Sequence, residues 1–223
     1  MVFNKYKKSS AFTLAEVLVT LMIIGVIASM TIPGLKRNAE MQENVALLRK
    51  AYSSLRQATS VLEGQYGDFK RWRFKDSSND EVNRMVKYYT SVMNVSRVCE
   101  ANKNGCWTQT KNLSGTKVGN SYGIGTNIAT FSTTDGMNFS LDGTGDASGI
   151  NSASAPSGSL GFYVDVNGDK KPNQLGVDVF FFVMTKDRGI MPAGADDGSK
   201  DCVAGKAGNT CAAKVLKEGK IDY

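Results

Sequence analysis

From Phe12 to Pro33 the chain reads FTLAEVLVTLMIIGVIASMTIP, 22 residues that are apolar or small apart from one carboxylate, Glu16. A helix needs about 20 such residues to cross a bilayer. Beyond Pro33 and Gly34 the pattern changes. From Leu35 to Glu63 there is no Gly or Pro, and Val45, Leu48, Tyr52, Leu55, Ala58 and Leu62 recur at steps of three or four. That spacing puts one apolar stripe on an otherwise polar helix. Gly64 and Gly67 supply the stop. The pattern therefore predicts one helix over Phe12–Glu63, about 78 Å long at 1.5 Å per residue. Pro33 is expected to kink it, because proline lacks the N–H and clashes with the carbonyl four residues back.

The rest of the chain predicts shorter elements. Phe69–Lys75, FKRWRFK, alternates aromatic and basic residues as a short strand or edge loop would. Ser78-Asn-Asp-Glu81 fits a capping box leading into a second helix, with Val82, Met85, Val86 and Tyr89 on one side. Strands are expected at Ile124–Phe131 and Met137–Leu141, around a hairpin turn over Ser132–Gly136. Asp142–Gly158, rich in Gly, Ser, Ala and Asn, reads as a surface loop or insert. Leu160–Val166 and Val177–Thr185 predict two further strands, the second apolar enough to be central in its sheet. A short helix over Ala212–Glu218 ends at Gly219. The expected fold is α+β: a long N-terminal helix, membrane-spanning then amphipathic, packed on a C-terminal antiparallel sheet. The expected segments are 1–11, 12–33, 34–64 and 65–223.

Composition narrows the function classes. The chain has 223 residues, enough for one globular domain and an anchor, and its net charge is +6. Removing residues 1–11 takes away Lys5, Lys7 and Lys8 and leaves +3, which makes no case for nucleic acid. Only the aromatic–basic run Phe69–Lys75 hints at a single-stranded nucleic acid, and nothing else supports that reading. Histidine is absent, which excludes Ser-His-Asp catalysis and His-bound zinc. The four cysteines form two local pairs, Cys99/Cys106 and Cys202/Cys211, without CxxC spacing. Two disulfides in an oxidising compartment are favoured over a metal site. Three lysines precede the apolar run and Lys36 and Arg37 follow it, so charge alone barely orients it. The cysteines tip the N-terminus to the inside.

The start of the chain carries the most specific signal. A basic leader, a small residue (Ala11), then Phe12-Thr13-Leu14-Ala15-Glu16 open the apolar helix. This resembles the class III signal of type IV prepilins and type II secretion pseudopilins. The resemblance covers about 25 residues, and Pro33 about 22 residues into the mature chain is shared with the family. The residue before the cut is usually Gly in the family and is Ala11 here. The resemblance implies cleavage between Ala11 and Phe12 by a prepilin peptidase and N-methylation of Phe12. It further implies that Glu16 neutralises the Phe12 amine of a neighbouring subunit as helices pack into a filament. On the residues alone, Glu16 lies in a first helical turn, where the dipole favours an anion. Implied partners are copies of the chain, other pilins or pseudopilins, the peptidase, an inner-membrane platform with its ATPase, and membrane lipid. The expected location is the bacterial inner membrane, with the C-terminal domain in the periplasm and later in a periplasmic or extracellular filament.

A second constellation is Asp165-Val-Asn167-Gly168-Asp169, with Pro172, Asn173, Gly176 and Asp178 beyond. Its D-x-N-x-D spacing is how calcium loops begin, although the twelfth position is Gly176 instead of a glutamate. The plainer reading is a turn built on Asx hydrogen bonds. Asp165, Asn167, Asp169 and Asp178 are the candidate calcium ligands, and Lys170 and Lys171 argue against them. The segment is also similar to a DxNGxxxPNxxGxD stretch in pseudopilin-like heads, some of which hold calcium. Asp196, Asp197 and Asp201 read as a solvated acidic loop beside Cys202, whose bridge to Cys211 is similar to the disulfide-bounded loop of type IV pilins. No catalytic set stands out. The expected function is a filament subunit, a pilin or pseudopilin, and not an enzyme. The alternative is a membrane-anchored periplasmic binding or adhesion protein with an uncut N-terminus.

Overall fold

A computed structural model describes residues 12–68, 72, 78–118, 123, 125–143, 160–185 and 188–223. Leader residues 1–11, most of Phe69–Lys75, and residues 144–159 lie outside that set. The chain divides into two compact units, Met1–Glu40 and Met41–Tyr223. Helix α1, Leu14–Tyr66, contributes to both. Its 53 residues match the expected element, but it passes through Gly64 and stops at Gly67, whose φ is +86°. Gly67 N–H donates to Glu63 O, a closing bond that the left-handed residue after a helix makes.

In the first unit every large apolar side chain from Phe12 to Leu35 is exposed. Mean hydropathy reaches 2.2 and the apolar window is 0% buried, so this stretch is long and apolar enough to cross a membrane. Pro33 sits inside the helix, and its nitrogen withholds a hydrogen bond there.

Among the described residues the second unit is built on six strands: β1 Val95–Cys99, β2 Ile128–Thr133, β3 Asn138–Asp142, β4 Gly161–Asp165, β5 Val179–Thr185 and β6 Gly189–Pro192. They pair antiparallel in chain order, a simple meander. The expected hairpin is present, with Thr133 still in β2 and the turn centred on Asp135-Gly136. β5 is not central. It is second from the edge, because the short β6 pairs with it and carries Pro192 at the rim. Its unbroken apolar run has another cause: both faces of the sheet are covered. Phe180, Phe182 and Met184 join the larger core, while Val179, Phe181 and Val183 join a second core with Tyr163, Leu175 and Ala193. The period-two alternation of a strand sends neighbours to opposite faces. Gly161 makes room on that second face, since a Cβ there would meet the Phe181 ring at 2.7 Å.

Residues 41–66 of α1 lay their stripe on the larger core. Val45, Leu48, Ala51, Leu55, Ala58 and Leu62 are all buried, and Tyr52 stacks on Phe182 with ring centroids 5.5 Å apart. Helix α2, Asn79–Val92, buries Val82, Met85, Val86 and Tyr89 as expected, and Ser78 caps it by accepting from Glu81 N–H. Tyr89 packs edge-on to Phe162 at 5.0 Å. Helix α3, Cys211–Glu218, ends at Gly219 in a left-handed conformation.

Candidate functional site

The N-terminal site is a capping box that the expected first-turn reading of Glu16 did not include. Thr13 and Glu16 stand three apart, as in the T-x-x-E signature. Glu16 Oε2 accepts from Thr13 N–H at 2.8 Å and from Thr13 Oγ1 at 2.8 Å, while Glu16 N–H donates back to Thr13 Oγ1 at 3.2 Å. The arrangement satisfies donors that a helix start leaves orphaned, and it holds the carboxylate at the helix mouth. Glu16 Oε1 has no hydrogen-bond partner among the described residues. Phe12 is 85% exposed beside this group. Ala11, on the other side of the expected cut, lies outside the described residues.

The second candidate is the connection between β4 and β5. Asp165 is the last residue of β4 and is 1% exposed; Asp178 immediately precedes β5 and is fully buried. Burial pushes both carboxyls above their ordinary range, and Asp178, with Asp169 behind it, pushes Asp165 further. Backbone N–H groups temper both rises, those of Asn167 and Gly168 at Asp165 and those of Gln174 and Asn173 at Asp178. Asp178 is fully used within the loop. Its Oδ2 accepts from Asn173 N–H at 2.9 Å and Asn167 Nδ2 at 3.2 Å, and its Oδ1 accepts from Gln174 N–H at 2.6 Å. Asp169 turns elsewhere: its Oδ1 accepts from Thr108 Oγ1 at 3.0 Å and Asn138 Nδ2 at 3.2 Å. Of the four expected ligands, Asp165 and Asn167 therefore keep oxygens without hydrogen bonds, one Oδ1 each. Among the described residues no cluster of three or more acids, histidines or cysteines could hold a metal.

Asn173, which the ligand expectation did not include, completes this picture. It is 5% exposed with φ +52°, and its side-chain oxygen faces Asp165 Oδ2, Gly168 O and Lys170 O at 2.8, 3.2 and 3.1 Å. Turning the amide over would let its nitrogen donate to all three. The P-N pair inside an acidic loop is the sequence signal that marks it.

The supporting framework is tied down from both sides. Cys99–Cys106 and Cys202–Cys211 are disulfides, as their local spacing suggested. The Tyr223 hydroxyl donates to Gly176 O, and a Cβ at Gly176 would meet Cys211 Sγ at 2.8 Å, so the C-terminus closes over the acidic loop. The second acidic cluster is more than a solvated loop. Asp196 makes a two-pronged pair with Arg188, and Asp197 accepts from Ser199 N–H. Asp201 accepts from three successive backbone N–H groups, Ala207, Gly208 and Asn209, at 2.9–3.2 Å. Trp72 donates to Gly67 O and lies against Tyr88, which is the packed reading of that residue. The remainder of Phe69–Lys75 lies outside the described residues.

Residues 6–32 match the family model described as the prokaryotic N-terminal methylation motif. No curated protein and no solved structure matches the chain. The matched segment contains Ala11, Phe12, Thr13 and Glu16 and most of the exposed apolar helix. The chain therefore opens with a prepilin-type signal, the hallmark of type IV pilins and pseudopilins.

Proposed function

We propose that this protein is a structural subunit, a pilin or pseudopilin, of a type IV pilus or type II secretion filament. The observation that carries the reading is the methylation motif sitting on a helix whose membrane-length apolar half buries none of its residues. Proteins with this motif are structural and not enzymatic, and the apolar helix suits membrane anchoring. In this reading a prepilin peptidase cuts between Ala11 and Phe12 and methylates the new amine. The inner membrane holds the subunit, with its disulfide-bonded domain in the periplasm, until an assembly platform and its ATPase extract it. The apolar surface exchanges lipid for identical helices, so little hydrophobic free energy is lost on extraction. The amine of Phe12 on one subunit meets Glu16 on another, at the Oε1 that Thr13 leaves available. Bending at Pro33 adjusts the helix to its neighbours.

The reading is tested by expressing the chain with a peptidase and assembly system and recovering sheared filaments. The wild-type chain is expected in the filament fraction. Its absence there, with normal processing and membrane levels, would contradict the proposal.

A further inference from the structure

Three segments of the second unit bring five exposed lysines together. They are Lys111 and Lys117 in the turn after Thr110, Lys170 and Lys171 in the β4–β5 connection, and Lys206 in the loop after Cys202. Backbone hydrogen bonds fix the adjacency. Lys111 N–H donates to Asn173 O at 2.8 Å and Lys111 O accepts from Leu175 N–H at 2.8 Å, which lays the first segment along the second. Leu113 N–H donates to Ala207 O at 2.7 Å, which lays it along the third. Lys111 and Lys117 stand opposite one another as an antiparallel bridge pair, so their side chains leave the same side of that ladder. Like charges directly opposite are destabilising. Among the described residues none of the five lysines makes an ion pair. The acids nearby are engaged or buried. Asp169 accepts from Thr108 and Asn138, Asp201 accepts from three backbone N–H groups, Asp222 pairs with Lys220, and Asp165 and Asp178 are buried.

We propose that this lysine patch binds the anionic phosphate headgroups of a phospholipid surface. Two observations favour lipid. Val203, 45% exposed, shares a turn with Lys206, whose N–H donates to Val203 O at 3.1 Å. An apolar side chain beside cations suits a bilayer interface. The chain also enters the unit beside the patch. Asn44 Nδ2 donates to Val177 O at 3.1 Å, in the same connection as Lys170 and Lys171. Only nine residues separate Asn44 from Leu35 in the exposed apolar stretch. The contact rests on the reading that this stretch lies in a membrane. With the stretch anchored there, the patch meets the surface as an intramolecular second contact, and clustered lysines are drawn to anionic lipid. Single-stranded nucleic acid fits less well, because bases need exposed rings to stack on. Among the described residues of this unit the exposed ring is Tyr66, 22 residues further along α1 than Asn44.

The test is lysine acetylation by N-hydroxysuccinimide acetate, read by peptide mass spectrometry on the full chain in lipid nanodiscs. Discs of phosphatidylcholine alone are compared with discs containing about 40% phosphatidylglycerol. Labelling of the five lysines is expected to fall about three-fold or more in the anionic discs. It should recover in about 1 M salt, where the screening length shrinks to about 3 Å. Labelling of the exposed Lys87 on α2 should be the same in both discs. Lys117→Glu places an opposite charge across the bridge from Lys111, so it should keep or raise Tm in detergent micelles while cutting the protection of Lys170 and Lys171 about two-fold. Equal labelling of the five lysines in the two discs would overturn the proposal. Equal protection in neutral discs by glycerophosphoglycerol, the free headgroup, or by an oligonucleotide would also overturn it, assigning the patch to a soluble phosphate or to nucleic acid. Failure of the chain to enter either disc would refute the membrane reading and the proposal with it.

Discussion

Glu16 gives one carboxylate oxygen to its own helix start and keeps the other available, which explains why threonine and glutamate stand three apart at the motif. Glu16→Ala is expected to leave membrane insertion intact and reduce filament yield at least ten-fold, read by fractionation and shearing. Normal assembly of that variant would sink the charge-pairing idea. Deeper in the chain, Thr59 Oγ1 donates its one proton to Leu55 O, so the Tyr89 hydroxyl must be the donor in the 2.8 Å bond between them. Tyr89 is fully buried, and burial pushes its phenol well above the ordinary range. Thr59→Val strands that hydroxyl and should cost about 1–3 kcal/mol; Tyr89→Phe removes it and should cost about 1 kcal/mol, both read by urea unfolding. The acidic loop has a pH signature. Folded-state pKa values of Asp165 and Asp178 lie above the ordinary 3.8, so the folded chain holds those protons more tightly than the unfolded one. Their contribution is fully present below about pH 4 and is lost as pH rises through the raised values. Tm should therefore fall as pH rises above about 4, and Asp165→Asn should flatten that fall. A Tm that rises over this range equally in both proteins would contradict it.

At the scale of elements, legibility followed burial. The stripe on α1 and the stripe on α2 were readable because each helix buries one face and repeats every three or four residues. β5 was readable as a strand but misplaced in the sheet, because an apolar run reports burial on two faces and not position in the strand order. β1 and β6 carry no comparable signal. β1 is exposed along Ser96, Arg97 and Val98, and β6 is four residues ending in proline, so neither has an apolar alternation to read. The Thr13–Glu16 box is legible as a T-x-x-E spacing, although in an apolar run the charge of Glu16 is the stronger signal. The P-N pair places Asn173 in the acidic constellation, but its contact with Asp165 is not legible, since it depends on a left-handed backbone and on carbonyls that sequence does not display. The helix stripe also sets a stability prediction. Leu55→Ala, at a fully buried position, should cost about 2–5 kcal/mol, and a loss under 1 kcal/mol would mean the helix is not seated on the sheet as described.

For the whole molecule, the two units divide the labour between them. Residues 41–223 form a compact α+β unit, whose described residues place cores on both faces of a six-stranded sheet and two disulfides suited to an oxidising compartment. Residues 12–40 form no core of their own, and their exposed apolar surface asks for lipid or for other helices. The central claim is that the second requirement is met first by a membrane and then by a filament, with a cut after Ala11 marking the passage. The most direct measurement is intact mass and N-terminal sequence of membrane-extracted protein coexpressed with a prepilin peptidase. A mature chain beginning at N-methylated Phe12 is the predicted result. An N-terminus still at Met1, or a cut near Ala28, would contradict it and leave an anchored or secreted binding domain in its place.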